Sequence, residues 1–511
     1  MGQKEFLARL NFTENPFQFT NADEEEQLQS YFVAPPYFAS VWGDPDRPTS
    51  QVVFAPRGGG KSAQRRMIEY GAGREDVFAI TYDRFERLGG ITLESLGTEY
   101  HLRNMIELGL LGFLLECQFR RLAAPSFTAA EREQVEALCQ HYLGKINRLE
   151  ALNALKSLRT LSSKAKQFLC EWTGPINTLV SAALASQGLH GPALAAPASP
   201  AASAEAIGGA AKAHFEAVVR LIKSIGFRSV YVLIDKVDET AETGNNAEAS
   251  FLLVRPLLRD LELLQLGGVG FKFFLWDKIE PSYRIYARPD RLQQFGLSWS
   301  WREMNEMLSR RLSAFSGGKV TDLGQLTNAE LAAPLQTTVI LFASGSPRDM
   351  IRVCQEILSE QLQLDPNSER IGIDAIMKGI SAFSERRAGE LLPAQVLHEL
   401  RKVGRADFTT NYVASEVFKI EANSARNKIV QWTQTGAVDK VGELHSGGRP
   451  VYQYALTDVR VARAIFRHLH LVAFLGDKVI ACRHCGGLLI RDWDRQSAHT
   501  CHSCGSEVKK Q

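Results

Sequence analysis

The chain lacks the features that mark secreted and membrane proteins. Its first residues contain no long apolar run and include Glu5, so we expect no signal peptide. Its most apolar stretch, residues 251–276, is interrupted by five charged side chains. That interruption predicts buried helix and strand, not a membrane span. We therefore expect a cytoplasmic protein with no membrane partner.

Net charge is also small, at +2 for 511 residues. A chain without a strong positive field does not attract polyanions as a whole, so any DNA contact must come from a local basic face. Cysteine is scarce: four of the eight are scattered, and four lie within the last thirty residues. This distribution indicates reduced thiols plus one metal site, and it argues against a secreted disulfide framework.

Short apolar runs, rich in β-branched and aromatic residues, alternate with helical patterns. This alternation predicts an α/β fold in which a parallel sheet carries helices on both faces. The predicted strands are residues 52–54, 77–82, 230–234, 271–275 and 297–301. Amphipathic patterns over 303–315 and 350–364 predict a helical lid after the sheet.

Residues 88–227 separate the second and third predicted strands. Apolar residues such as Ile106 and Leu110 recur at helical spacing, which predicts an inserted helical subdomain. Ten of the twenty residues from 193 to 212 are alanine, mixed with proline, serine and glycine. This composition predicts a flexible linker, with an alanine-rich helix after Pro200 as the alternative.

The strongest local signal is a phosphate-binding loop between the first strand and a helix. The loop reads Ala55-Pro56-Arg57-Gly58-Gly59-Gly60-Lys61-Ser62, with alanine where the usual pattern has its first glycine. Its backbone N–H groups would face the phosphates of ATP or GTP, Lys61 would reach the β and γ phosphates, and the Ser62 hydroxyl would bind magnesium. The residues expected to contact the nucleotide are Arg57, Gly58, Gly59, Gly60, Lys61, Ser62 and Ala63.

A second signal is acidic and follows the strand at 230–234. An acidic residue at the tip of a buried strand is costly unless it binds an ion, so Asp235 is predicted to hold magnesium through water. Glu239, or alternatively Asp238, would then orient the attacking water. The plain alternative for these carboxylates is a solvated strand end.

This order of strands and motifs resembles the additional-strand catalytic-glutamate class of P-loop ATPases, which includes AAA+ and STAND proteins. The resemblance places Asp277 where such proteins keep a polar sensor residue. Residues 345–349 resemble the second sensor of AAA+ and origin-recognition ATPases, which implies that Arg348 touches the γ-phosphate, with Arg352 as the alternative. The alternative for either residue is an ordinary arginine on the helix surface.

Such ATPases commonly insert an arginine into a neighbouring subunit's site. Four arginines are candidates for this role, and the sequence does not distinguish between them. The alternative for each is an ordinary surface arginine. They are Arg288, Arg291, Arg310 and Arg311.

Residues 406–458 resemble a winged helix, which origin-recognition ATPases carry after the lid. The pattern predicts helices at 410–418 and 423–435, with Asn423 as a cap, then strands at 438–444 and 450–456. A binding role would turn four residues of the second helix towards a DNA groove and would use Lys440 and Arg449 on phosphates. The four are Ser424, Arg426, Asn427 and Lys428. Protein interaction is the alternative role.

The tail contains two Cys-x-x-Cys pairs separated by fifteen residues. Four thiolates at this spacing predict a closed, structural zinc site and resemble a zinc ribbon. The predicted ligands are Cys482, Cys485, Cys501 and Cys504. Zinc would fold a tail too short to bury a core of its own.

Together these motifs predict six regions, with boundaries at 1–87, 88–227, 228–302, 303–400, 401–470 and 471–511. They are the first part of the ATPase core, the insertion with its linker, the rest of the core, the lid, the winged helix and the zinc ribbon.

The favoured function is an ATP-driven switch acting on DNA, and the resemblance implies a role in antiphage or mobile-element defence. The alternative is an oligomerising signalling or scaffold ATPase whose C-terminal modules bind proteins. A kinase would use the same loop, but the acidic motif and second sensor favour a hydrolytic switch.

Overall fold

A computed structural model describes residues 2–85, 91–119, 128–143, 153, 156–159, 208–331, 333–444, 451–482, 484, 487–492, 498–501 and 504–509. The chain divides into two compact units. One is Ala34–Ser298, and the other combines Met1–Val33 with Trp299–Gln511. Within the described residues, no helix has both the length and the apolar character that crossing a membrane requires.

The first unit is built on a five-stranded parallel sheet in the order β2-β3-β4-β1-β5. Its strands are β1 Gln51–Ala55, β2 Val77–Tyr82, β3 Ser229–Ile234, β4 Val269–Trp276 and β5 Gln293–Gly296. Strands β1 to β4 are buried almost throughout, as expected of strands covered on both faces. The predicted α/β fold is confirmed, and β4 lies between the loop strand β1 and the acidic strand β3.

Helices cover this sheet. Their bounds are Phe38–Trp42, Lys61–Ala72, Thr98–Phe119, Ala129–Leu143, Gly208–Ser224, Ala247–Arg259, Leu261–Leu264 and Glu280–Tyr286, with 3₁₀ turns at Val237–Glu239 and Asp277–Ile279. Helix Thr98–Phe119 of the predicted insertion packs into the same apolar core as the strands. It approaches so closely that a Cβ at Gly112 would lie 2.5 Å from the Phe78 ring. Most of the predicted linker lies outside the described residues, but helix Gly208–Ser224 begins within its last five positions.

One predicted strand is wrong. Residues 297–301 were expected to be extended, whereas β5 ends at Gly296 and a helix begins at Trp301. Ser300 and Glu303 form a capping box, in which each side chain accepts a hydrogen bond from the other residue's backbone N–H. This pairing satisfies two N–H groups at the helix start, so it outweighs the β-forming character of the tryptophans and leucine.

The second unit contains the predicted lid. Its helices are Gln3–Arg9, Leu28–Tyr31, Trp301–Ser316, Leu335–Ala343, Pro347–Leu364, Ile373–Leu391 and Ala394–Val403, with a 3₁₀ turn at Leu323–Leu326. The N-terminal residues, which the sequence groups with the ATPase core, pack in this unit. Buried Arg311 donates to the carbonyl of Pro16 and to Glu25 Oε1, the latter at 2.6 Å. These bonds tie the N-terminal residues to helix Trp301–Ser316.

The winged-helix pattern is also present. A π-helical turn Tyr412–Phe418 and helix Ala422–Gln434 accompany an antiparallel sheet in the order β6-β8-β7. Its strands are β6 Asp407–Thr409, β7 Val438–Leu444 and β8 Val451–Leu456. The predicted cap is displaced: Glu421 occupies the N-cap, and Asn423 lies inside the helix, where its side chain accepts from Arg426 at 2.7 Å. Arg449 lies outside the described residues.

The chain continues through helices Val459–Ile465 and Leu471–Lys478 into a small tail. Two antiparallel strand pairs form it, β9 Val479–Ala481 with β10 Leu488–Ile490, and β11 Ala498–Thr500 with β12 Glu507–Lys509. Its small core comprises Cys482, Leu489, Cys501 and Val508. The tail buries few apolar side chains, which is the situation in which a metal contributes to folding.

Candidate nucleotide site

The phosphate-binding loop leaves β1 and leads directly into helix Lys61–Ala72. Gly58 and Gly60 have φ of 76° and 99°, a backbone conformation that side-chain-bearing residues rarely adopt. At Gly59, a Cβ would meet the Pro56 carbonyl at 2.9 Å. The three glycines therefore let the backbone curl between strand and helix. The helix N-terminus at Lys61 presents unpaired N–H groups and a partial positive charge.

Lys61 is nearly buried and points back over its own loop. Its Nζ donates to the carbonyls of Ala55 at 3.3 Å and Pro56 at 3.5 Å. Burial lowers the pKa of Lys61. The nearby negative charges of Asp238, Asp235 and Glu239 oppose that shift. The ammonium group therefore lies in an acidic surrounding at the carboxyl end of the sheet.

Arg57 joins the loop to the acidic segment after β3. Its Nε donates to Asp238 Oδ2 at 2.7 Å, and another guanidinium nitrogen donates to the Asp238 carbonyl at 3.0 Å. The guanidinium also lies 4.2 Å from the centre of the Trp276 ring. Asp238 is buried, so its charge is balanced by Arg57. Of the two carboxylates predicted to orient water, Asp238 is thus already engaged by a cation.

Asp235 lies where predicted, directly after β3, but it already has a cationic partner. Its Oδ2 accepts from Arg65 Nε at 2.9 Å, and its Oδ1 accepts from the Lys236 backbone N–H at 2.9 Å. Arg65 and Asp235 are 0% and 1% exposed. A divalent cation beside Asp235 would have to share the carboxylate with a buried guanidinium. The residues as placed therefore do not fit magnesium held at Asp235.

Glu239 and Asp277 also follow strands at this end of the sheet. Glu239 is exposed at the end of the turn Val237–Glu239, and Asp277 is half-buried after β4. Within the described ranges, neither side chain accepts a hydrogen bond or forms an ion pair. Ser62 and Ala63 lie half-buried in the first turn of the loop helix, beside Lys61.

The second-sensor candidates belong to the other unit, in helix Pro347–Leu364. Ser346 caps this helix, accepting from the Asp349 N–H at 3.2 Å. Arg348 is half-buried, and no ion pair engages it among the residues that the structure describes. Arg352 instead pairs with Glu390 at 3.1 Å. The structure thus leaves Arg348 as the available arginine at this helix start.

The four arginines offered for action in trans differ in their surroundings. Arg311 is buried against Glu25, which removes it from the candidates. Arg310 pairs with Glu306 at 2.5 Å, whereas Arg288 and Arg291 are exposed and both pair with Asp290. Each of these three arginines thus has an acidic neighbour close by in the chain.

Helix Ala422–Gln434 of the winged-helix module has several exposed residues, among them Asn423, Ser424, Arg426 and Asn427. Lys428 does not join them. It donates to Glu399 at 2.5 Å and lies 5.2 Å from the centre of the Phe418 ring. Lys440, on the wing, pairs with Glu443 at 2.6 Å and covers the Tyr452 ring. The described basic surface is thus smaller than the sequence suggested.

The tail brings three predicted zinc ligands together. The sulfurs of Cys482, Cys501 and Cys504 all lie within 4.8 Å of one another. The Cys482 and Cys504 sulfurs are 3.7 Å apart, and Gly505 follows with φ of 74°. Cys485 lies outside the described residues. Three convergent thiol sulfurs fit the donor set of a structural zinc site.

Sequence reasoning missed Arg65. Its spacing from Glu69 is the i,i+4 spacing of a helical ion pair and could have been noticed. Its contact with Asp235 could not, because 170 residues separate the two in the chain.

A glycine-rich loop follows the internal strand β1 of the parallel sheet and leads into a helix, which is the context that a phosphate-binding loop requires. No protein-family model matches the chain, and no curated protein matches it. Among solved structures, it is similar to the Aeropyrum pernix ORC1 protein in complex with DNA, at 10% identity and a TM-score of 0.37 over 88% of this chain and 96% of that one. It is also similar to the Aeropyrum pernix ORC2 protein in ADPNP-ADP complexes, at 11% identity and a TM-score of 0.36 over 87% and 97%.

Proposed function

We propose that the protein binds ATP at the loop between β1 and helix Lys61–Ala72 and hydrolyses it as a molecular switch. One observation carries this proposal: Gly58 and Gly60 bend the backbone so that an N-terminal helix turn opens beside a buried lysine. Backbone N–H groups and an ammonium group at one bend are suited to triphosphate oxygens. Catalysis would come mainly from positioning and charge stabilisation, with Glu239 orienting water.

Two substitutions test this role. Lys61→Ala removes the ammonium group, so we expect no binding of a fluorescent ATP analogue and no phosphate release. Glu239→Gln keeps the loop intact, so this variant should still bind the nucleotide but should not hydrolyse it. Lys378→Ala, at an exposed helical position in the other unit, is the matched control. Binding by Lys61→Ala equal to that of the control would contradict the proposed site.

Arg348 is the proposed residue that reports on the γ-phosphate. It lies in the first turn of a capped helix and has no ion-pair partner among the described residues, whereas Arg352 is engaged by Glu390. Arg348→Ala should lower the turnover of bound ATP more than Arg352→Ala does. Equal turnover in the two variants would remove Arg348 from this role.

We further propose that the winged helix engages DNA. Helix Ala422–Gln434 presents polar side chains and Arg426 on its exposed face, which suits groove and phosphate contacts. Binding to duplex DNA should be measured over a salt series, since each neutralised phosphate contributes about −0.9 to the slope of log affinity against log salt. Arg426→Ala should reduce the slope by about one, whereas Lys428→Ala should leave it unchanged. A slope near zero for the parent would contradict DNA binding.

Protein binding is the second candidate for the same module. Val430 and Tyr452 are exposed at 53% and 41%, and two basic residues of this module, Lys428 and Lys440, are paired with acidic ones. Apolar and aromatic exposure with little free charge suits a partner protein or another copy of the chain. In that case the oligomerising signalling or scaffold ATPase is the better description, and Val430→Asp would break assembly without affecting nucleotide binding.

The tail is proposed to hold structural zinc through Cys482, Cys485, Cys501 and Cys504. A closed site of four thiolates leaves no position for water, so the metal would fold the tail and take no part in catalysis. Elemental analysis should find about one zinc per chain, and a chelator should unfold the tail. Cys501→Ser should lose the metal while retaining ATP binding, because the tail and the loop belong to different units.

A further inference from the structure

A buried arginine occupies the place expected for a metal ion. Arg65 lies one helical turn beyond Lys61 on the loop helix, and its Nε donates to Asp235 Oδ2 at 2.9 Å. Its side chain is 0% exposed and that of Asp235 is 1% exposed. A buried carboxylate must be balanced by a nearby positive charge, and here the guanidinium supplies it.

The guanidinium is held on both sides, so it is not free to move away when a ligand arrives. Arg65 also pairs with Glu69, one turn further along the same helix. Glu69 in turn accepts from the Thr81 hydroxyl at 2.5 Å and pairs with Arg66 at 3.3 Å. Fixed bonds from two elements thus keep Arg65 against Asp235.

Given the proposed ATP binding, we infer that Arg65 replaces magnesium at Asp235. The triphosphate is then held by the loop N–H groups and Lys61 while the Arg65–Asp235 pair stays intact. A metal ion placed beside Asp235 would be repelled by the adjacent guanidinium, whereas the negative triphosphate would not. Arg65 is therefore a positioning residue, and nucleotide affinity depends little on divalent cations.

The test is a titration of the full-length protein with a fluorescent ATP analogue, in magnesium buffer and in EDTA at equal ionic strength. The two dissociation constants should agree within about threefold, and a difference of tenfold or more would overturn the inference. Absence of binding in both buffers would instead contradict the proposed nucleotide site, so the two failures are distinguishable.

Variants locate the effect. The double variant Arg65→Gln, Glu69→Gln removes the guanidinium together with its second acidic partner and releases Asp235, so magnesium should now improve affinity by about tenfold. Arg66→Gln, next to Arg65 on the same helix, is the matched control and should keep the parent's ratio. A double variant that folds by circular dichroism yet gains no magnesium dependence would refute the role of Arg65.

A second variant keeps the inference testable if the double variant does not fold. Asp235→Asn should weaken binding equally in both buffers, because it loosens Arg65 and the loop helix without removing a metal ligand. A loss of affinity confined to magnesium buffer would show that Asp235 holds the metal, and the inference would be wrong.

Discussion

Two buried aspartates, one in each unit, show how differently the chain uses the same chemistry. Asp235 and Asp349 are each 1% exposed. Asp235 meets one arginine, Arg65, whereas Asp349 accepts from Arg387 at 3.0 Å and from Arg460 at 2.6 Å. The first pair lies beside the phosphate-binding loop, and the second cluster joins three helices.

Arginines neutralise both carboxylates, but the first pair lies beside the phosphate-binding loop and the second lies among packed helices. Arg460 belongs to helix Val459–Ile465, directly after the winged-helix sheet, and Asp349 neighbours the proposed sensor Arg348. Asp349 therefore ties the start of helix Pro347–Leu364 to the helix after the wing, within one unit. Asp235 ties the loop helix to the end of β3.

The largest loss of stability is expected when Asp349 is replaced. Asp349→Ala leaves two arginines without a shared buried carboxylate, although Arg460 keeps Asp458 and Arg387 keeps Glu390. We expect the free energy of unfolding of this unit to fall by ~3 kcal/mol. Denaturant unfolding, with hydrogen exchange to localise the change to helix Pro347–Leu364, measures it. Glu390→Gln, at a partly exposed partner, should cost less than ~1 kcal/mol. Equal losses in the two variants would contradict the proposed importance of the cluster.

The second expected effect is a pH dependence of the stability of the first unit. Lys272 is buried in β4, where Nζ donates to the Thr49 carbonyl at 2.8 Å and to Gln51 Oε1 at 3.3 Å. Burial lowers its pKa from 10.5 to about 7. Between these values the unfolded chain binds the proton more tightly, so stability should rise with pH from about 7 to 10.5, by up to about 1.4 kcal/mol for each pH unit.

Lys272→Met should flatten that rise, measured as the pH dependence of the unfolding midpoint of the first unit. Lys278→Met, at an exposed lysine after the same strand, should retain it. A parent protein whose first unit is equally stable at pH 7 and pH 10 would contradict the assignment to Lys272.

The smallest effect has the opposite sign and lies in the second unit. Burial, followed by the nearby charge of Asp492, raises the pKa of Asp407 from 3.8 to about 6. The folded state then binds the proton more tightly, so stability should fall as pH rises from about 4 to 6. The effect is smaller because Asp407 is half-buried. Asp407→Asn should remove the fall, whereas Asp439→Asn, on the exposed wing, should not. Identical pH profiles for the parent and Asp407→Asn would exclude this residue.

Much of the fold could be read from local patterns. The spacing of apolar residues located β1 to β4, and the winged-helix strands and helices fell within a few residues of prediction. The error at 297–301 arose because β-forming residues were given more weight than the capping pair Ser300 and Glu303. Local hydrogen bonds at a helix start can decide the structure where side-chain preference is divided.

The site was predicted less completely, because its charges are balanced across distant parts of the chain. Arg57 lies in the loop and Arg65 in the helix after it, yet their partners Asp238 and Asp235 follow β3, after the long insertion. Lys428 was expected to face a groove, but Glu399 from an earlier helix engages it. No periodicity within a segment reveals such pairings, since they depend on which elements the fold brings together.

The secondary-structure elements and the chemical types follow from local patterns of residues: a glycine-rich bend before a lysine, carboxylates after a buried strand, and paired cysteines in the tail. These are local properties, set by backbone conformation and residue spacing. Which carboxylates remain available depends on the folded arrangement, because an ion pair forms between side chains whose distance is set by packing. That is why Asp235 could be recognised from the sequence, while its partner Arg65 could be found only in the folded chain.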